Sequence, residues 1–180
     1  MFPVHLYPSD ELPRPGDGNQ GSIGDCCLIA VLNSLADRYP SFVKSIIAPQ
    51  IDGSFDVQLF NPKGQRILVS IDSNFLVNEN GHLMQAHGEH NPAMWMSVLE
   101  KVIIKYNYVY KICSGSGPGN VGDIGSESVA AIFTENGDSF AFSPGVFSSP
   151  QELVQAQEEA LERGKLVVGG FGIFMDTDNF

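Results

Sequence analysis

The sequence predicts an α+β fold, and three observations carry that reading. Leu28, Ile29, Leu32 and Leu35 recur at three- and four-residue intervals, the spacing of one buried helical stripe. Residues 54–60 alternate instead, with Phe55, Val57 and Leu59 on one side, and residues 66–71 are rich in β-branched side chains, so both stretches read as strands. Residues 93–106 return to the helical period, with Met94, Val98, Lys101, Val102 and Lys105 on adjoining faces.

Each element has its own local cause. The first 19 residues hold Pro3, Pro8, Pro13 and Pro15 with Gly16 and Gly18, an extended and turn-rich lead-in. Asp25 stands at the N-cap position of the first helix, which puts Cys26 in its first turn, and Pro40 is expected to close it. Asn61, Pro62, Lys63 and Gly64 form a turn between the two strands, so these read as a hairpin. Residues 114–125 are glycine-rich without a period and read as a loop. Ser149 and Glu152 make a capping box with Pro150 at the first helical position, and that helix runs to about Arg163 and stops at Gly164. Residues 166–173 look like a buried strand interrupted by Gly169 and Gly170.

Bulk composition narrows the function classes. A chain of 180 residues holds one full domain, or one domain and the start of another. At 43% hydrophobic and 17% charged residues it is globular in character. Its 21 acidic against 10 basic residues give a net charge of -11, which repels phosphate backbones and argues against nucleic acid as a partner. Cys26, Cys27 and Cys113 cannot make a closed disulfide framework, which favours a reducing compartment. Residues 1–18 lack a basic segment followed by an apolar run, so no cleavable signal peptide is expected, and no apolar stretch approaches the roughly 18 residues of a membrane span. The expected location is cytoplasmic, or outside the cell by a route without a cleavable signal, with no membrane anchor.

Cys26 is the residue with chemistry to offer. A thiol attacks as thiolate, and the positive end of a helix favours that form. Gln20 lies where a side-chain amide can join the cysteine's own backbone N–H in holding an oxyanion, and Gly21 and Gly24 let the chain turn between them. By itself a helix-start cysteine is more often a buried structural thiol.

The longer string changes that weighting. QGSIGDCCLIAVLNSLA, from Gln20 to Ala36, resembles the active-site segment of the calpain family of cysteine peptidases, within the papain-like superfamily. That family's pattern is Gln-Gly-x-x-Gly-Asp-Cys-Trp before an apolar helix; Gln20, Gly21, Gly24, Asp25 and Cys26 match it, and Cys27 replaces the tryptophan. Residues 66–76 resemble its strand ending in two aspartates, with Ser73 in place of the second, and residues 78–87 resemble its next hairpin. Trp95, Leu99, Glu100, Lys101 and Lys105 match its Trp-x-x-Leu-Leu-Glu-Lys helix, and Ser114 and Gly115 stand where it has Ser-Gly-Gly. The likeness runs in order over roughly residues 15–170.

The resemblance implies a papain-like fold, with a mainly helical nucleophile-bearing unit over residues 1–138 and the beginning of a β-rich unit over 139–180. It implies an endopeptidase acting on protein or peptide substrates, with Cys26 as nucleophile, Gln20 as oxyanion donor, and Gly24, Ser114 and Gly115 near the substrate backbone. Such chemistry also needs a histidine base and an orienting group. His5, His82, His87 and His90 are the only histidines, and all four read as loop residues away from the implied triad position. The triad is therefore expected to be incomplete as written. The chain is shortened before the histidine, or the peptidase is degenerate, or a partner chain supplies the base; the first explanation is favoured. No cofactor is needed for the chemistry. Calcium is implied as a bound ion, with Asp17 and Glu100 as its carboxylates, although both read equally well as structural or surface residues. Nothing in the spacing supports zinc. The competing reading is a non-catalytic calpain-like module that binds a protein partner or calcium.

Overall fold

The computed structural model describes residues 6–7, 12–88, 93–113, 121, 126–134 and 147–168. Among them, helices and a small antiparallel sheet follow one another in an α+β arrangement. Helix α1 spans Cys26–Arg38 and buries Leu28, Ile29, Val31, Leu32, Leu35 and Ala36, the stripe its period required. Pro40 does not end the helical region. Instead α1 stops at Arg38, and Pro40 opens a second helix, α2, over Pro40–Ile46. A proline is tolerated there because the first turn of a helix has no use for its N–H.

Strand β1 (Ile47–Pro49) pairs with β2 (Phe55–Phe60), which pairs in turn with β3 (Arg66–Ile71), all antiparallel. The register sets Phe55 against Ile71 and Phe60 against Arg66, so the expected hairpin is present. Asn61 makes its turn: Oδ1 accepts from the N–H of Lys63 (2.9 Å) and of Gln65 (3.0 Å), and Gly64 takes φ +72°. Phe55, Val57 and Leu59 point inward on β2, as do Val69 and Ile71 on β3.

Helix α3 (Trp95–Tyr110) runs four residues past its expected end and packs on β2 and β3. Its inner face is fully covered, with Trp95, Met96, Val98, Leu99, Val102 and Ile103 all at 0% exposure. Lys101 and Lys105 lie at the rim and donate to the carbonyls of Asp72 (2.9 Å) and Ser70 (2.6 Å). Helix α4 (Ser126–Phe133) packs against α1 and β2 through buried Val129, Ile132 and Phe133.

Helix α5 (Pro150–Glu162) has the expected cap, Ser149 Oγ accepting from the Glu152 N–H (3.3 Å). The Glu152 carboxylate returns one residue early, to the Ser148 N–H (2.7 Å). Gly164 follows with φ +73°. The strand expected over 166–173 is not formed by residues 166–168, which find no pairing partner among the described residues; Val167 is held instead through its carbonyl by Ser34 Oγ (3.5 Å). Residues 169–173 lie outside the described residues, as does the unit boundary near 139.

Candidate active site

Cys26 is the first residue of α1 and is exposed, while Leu28 two residues on is at 0% exposure. The helix is thus anchored by its buried stripe and presents the thiol at its open N-terminal end, where backbone N–H groups have no helical partner. Cys27 is half-buried. Gln20 is exposed, and its Nε2 donates to the Ile23 carbonyl at 2.6 Å, inside its own loop. Ser114 and Gly115 lie outside the described residues.

The two glycines of this loop differ in what they face. A Cβ at Gly24 would meet nothing within 4 Å, so the loop opens to solvent there. A Cβ at Gly21 would lie 2.1 Å from the Met84 carbonyl oxygen and 2.6 Å from that of Gln85. The loop is laid against residues 84–87, and three backbone hydrogen bonds join the two: Asn19 and His87 exchange a pair (2.9 and 3.1 Å), and the Ser22 N–H donates to the Met84 carbonyl (2.8 Å). His87 is therefore paired with the residue next to Gln20, while its Nδ1 lies 2.7 Å from the Gln85 carbonyl. His82 sits in the turn before it, its N–H on Asn78 Oδ1 (2.9 Å), and His5 and His90 are outside the described residues.

Behind this pair of segments stands α3. Ser97 and Glu100, one turn apart on one face, grip the same residue: Ser97 Oγ donates to the Ala86 carbonyl (2.5 Å) and Glu100 Oε2 accepts from the Ala86 N–H (2.9 Å). Trp95 Nε1 donates to Asp17 Oδ2 (2.9 Å), which also accepts from the Arg14 N–H (2.8 Å). Asp25 occupies the N-cap position, yet its side chain does not cap the helix; it is at 0% exposure and turned inward toward Glu100. Sequence reasoning missed this pairing of acids. Its signal was a glutamate inside the apolar stripe of Val98, Leu99, Val102 and Ile103.

Asp17 and Glu100, implied as calcium carboxylates, do not converge on a shared ion. Asp17 is satisfied by Trp95 and Arg14, and Glu100 faces Asp25 and Ala86. Calcium takes six to eight oxygen ligands in most sites, and among the described residues no group of three or more His, Cys, Asp or Glu side chains gathers around a point. The residues do not fit this ion as a pair.

Burial pushes the Glu100 carboxyl up to about 9, and the Asp25 carboxyl beside it adds to the shift. Burial raises Asp25 as well. The folded chain therefore holds a proton on this pair that the unfolded chain releases above about pH 4.5. The stabilisation is complete below that value and is lost as pH rises through about 9. The urea midpoint should fall between pH 6 and pH 9, and Glu100→Gln should flatten that slope; a wild-type midpoint that is level or rising over this window contradicts the assignment. Asp52 and Asp72, lowered by Ser54 and Lys101 respectively, act in a separate acidic window, where their contribution is lost as pH falls below the usual carboxylate range.

The family model described as calpain family cysteine protease matches residues 7–172. The chain is similar to Calpain-8 of Homo sapiens, at 30% identity over 122 residues, 63% of this chain and 17% of that protein. It is similar to Calpain-8 of Mus musculus at 32% over 109 residues (55% and 14%) and of Rattus norvegicus at 31% over 127 residues (63% and 17%). The match thus spans about a sixth of the length of these relatives. Because the family model covers nearly the whole chain and takes in both the Cys26 loop and α3 behind it, this chain belongs to the calpain family of cysteine proteases.

Proposed function

We propose that this chain is the nucleophile-bearing region of a calpain-type cysteine endopeptidase. The observation that carries the reading is the exposed thiol of Cys26 at the open end of a helix anchored by a buried stripe that begins at Leu28. A substrate carbonyl approaching that end meets the sulfur and the backbone N–H groups of the first turn together. Cys26 attacks the carbonyl carbon, and the oxygen gains a negative charge that the Cys26 amide and the Gln20 amide receive. Gln20 donates to Ile23 in the resting loop and must turn from it to take this part. A histidine then protonates the leaving amine, and water hydrolyses the thioester. In this reading the histidine lies outside this chain, on a further segment or a partner chain. Residues from about 139 onward begin, in the same reading, the second, β-rich unit. The substrate contacts of this reading are Gly24, which has open space around it, together with Ser114 and Gly115. The chemistry needs no cofactor, and no step passes through calcium. A non-catalytic module that binds a protein partner is the second reading, favoured by the engagement of Gln20 within its own loop.

Alkylation separates the two. With iodoacetamide at neutral pH, Cys26 should label at least about tenfold faster in the folded chain than in urea, and faster than Cys113. Equal rates in folded and unfolded chains would favour the module. Casein should remain uncut by the chain alone, and Cys26-dependent turnover would show that the base is already present.

A further inference from the structure

Glu100 is at 0% exposure in the middle of α3, and the mechanism above leaves it without a part. Its surroundings define one. One oxygen holds the Ala86 N–H, and the carboxyl lies within hydrogen-bonding reach of Asp25, the residue before Cys26. Both Asp25 oxygens and Glu100 Oε1 are buried and receive no N–H or hydroxyl from the described residues. Two facing buried carboxyls with no other donor are best served by a hydrogen bond between them. Asp25 is buried, and its side chain makes no capping hydrogen bond to α1.

We propose that Glu100 is a positioning residue for the nucleophile: its hydrogen bonds to Asp25 and to the Ala86 amide hold the helix start that carries Cys26 in register with the segment backing Gln20. It acts through hydrogen bonds within the chain, and its carboxyl does not converge with that of Asp17 on a shared cation. The thiol readout below rests on the peptidase reading; the backbone readout does not.

The test compares Glu100→Gln, Glu100→Asp and Glu100→Leu in the full chain, by the iodoacetamide rate at Cys26 and by hydrogen exchange of the Ala86 amide. Glutamine keeps both contacts, donating its N–H to Asp25 and accepting from Ala86, and should stay within about twofold of wild type on both measures. Aspartate keeps the acid but falls a methylene short, and leucine removes both bonds. Each should slow Cys26 and speed Ala86 exchange by about tenfold or more. If glutamine loses as much as aspartate, charge is what the position requires, as for a cation ligand, and the proposal is overturned. Wild-type behaviour of the leucine variant overturns it equally. Should leucine fail to fold, the comparison of glutamine with aspartate decides. Should wild-type Cys26 react no faster folded than unfolded, the peptidase reading falls, and Ala86 exchange alone decides the role of Glu100.

Discussion

Gly21→Ala is expected to destabilise the chain by about 3 kcal/mol or more and to abolish enhanced Cys26 reactivity. The new methyl would stand 2.1 Å from the Met84 oxygen and 2.8 Å from the Gln85 carbonyl carbon, far inside the roughly 3.5 Å at which non-bonded heavy atoms pack. The three nearest atoms are all backbone, so the worst contacts cannot be relieved by a side chain swinging aside. Residues 84–87 cannot retreat either, because Ser97 and Glu100 hold Ala86 from behind by its carbonyl and its N–H. The remaining response is to part the two segments and break the bonds at Asn19, Ser22 and His87. Gly24→Ala is the internal control: its methyl meets nothing within 4 Å, and it should change stability by no more than about 0.5 kcal/mol. Urea denaturation followed by far-UV circular dichroism reads both. A Gly21→Ala variant within about 1 kcal/mol of wild type would mean that the loop does not lie against residues 84–87.

That contrast also shows which parts of the site were legible before the structure. The α+β class, α1, the β2–β3 hairpin, α3 and α5 follow from period and capping residues that act locally, and the family followed from the spacing of Gln20 to Cys26 together with Trp95 to Lys105. α2 was hidden because Pro40 reads equally as a stop and as a first helical residue. α4 left a readable signal in Val129, Ile132 and Phe133, but it is short and sits beside the glycine-rich loop. β1 has one buried residue, Ile47, and so no alternation to detect. The inward turn of Asp25 was beyond any local rule, since a cap residue and a buried acid look alike until Glu100, 75 positions away in the sequence, is brought opposite it. Gly21 and Gly24 were likewise equivalent as letters, and only the approach of residues 84–87 tells them apart.

Trp95→Ala should cost about 3–5 kcal/mol, and it is the substitution that links the core to the nucleophile loop. Trp95 is the single tryptophan, at 0% exposure, and opens α3. Truncation leaves a cavity on the fully buried face of α3 and removes the indole N–H from Asp17, a carboxylate only 4% exposed. Asp17 would keep the Arg14 N–H, but a buried carboxylate that loses a donor is expensive. Trp95→Phe separates the two effects, since it retains most of the ring and lacks the donor; it should cost about 1–3 kcal/mol. Because Asp17 precedes Gln20 by three residues, the phenylalanine variant should also slow Cys26 alkylation while leaving the far-UV spectrum unchanged. Equal losses in the two variants would assign the whole effect to the indole N–H, and a loss under about 2 kcal/mol for alanine would mean that the core closes around the gap. The expected order, alanine well beyond phenylalanine with both slowing the thiol, follows from one geometric fact: the ring that fills the core also holds the chain leading into the Cys26 loop.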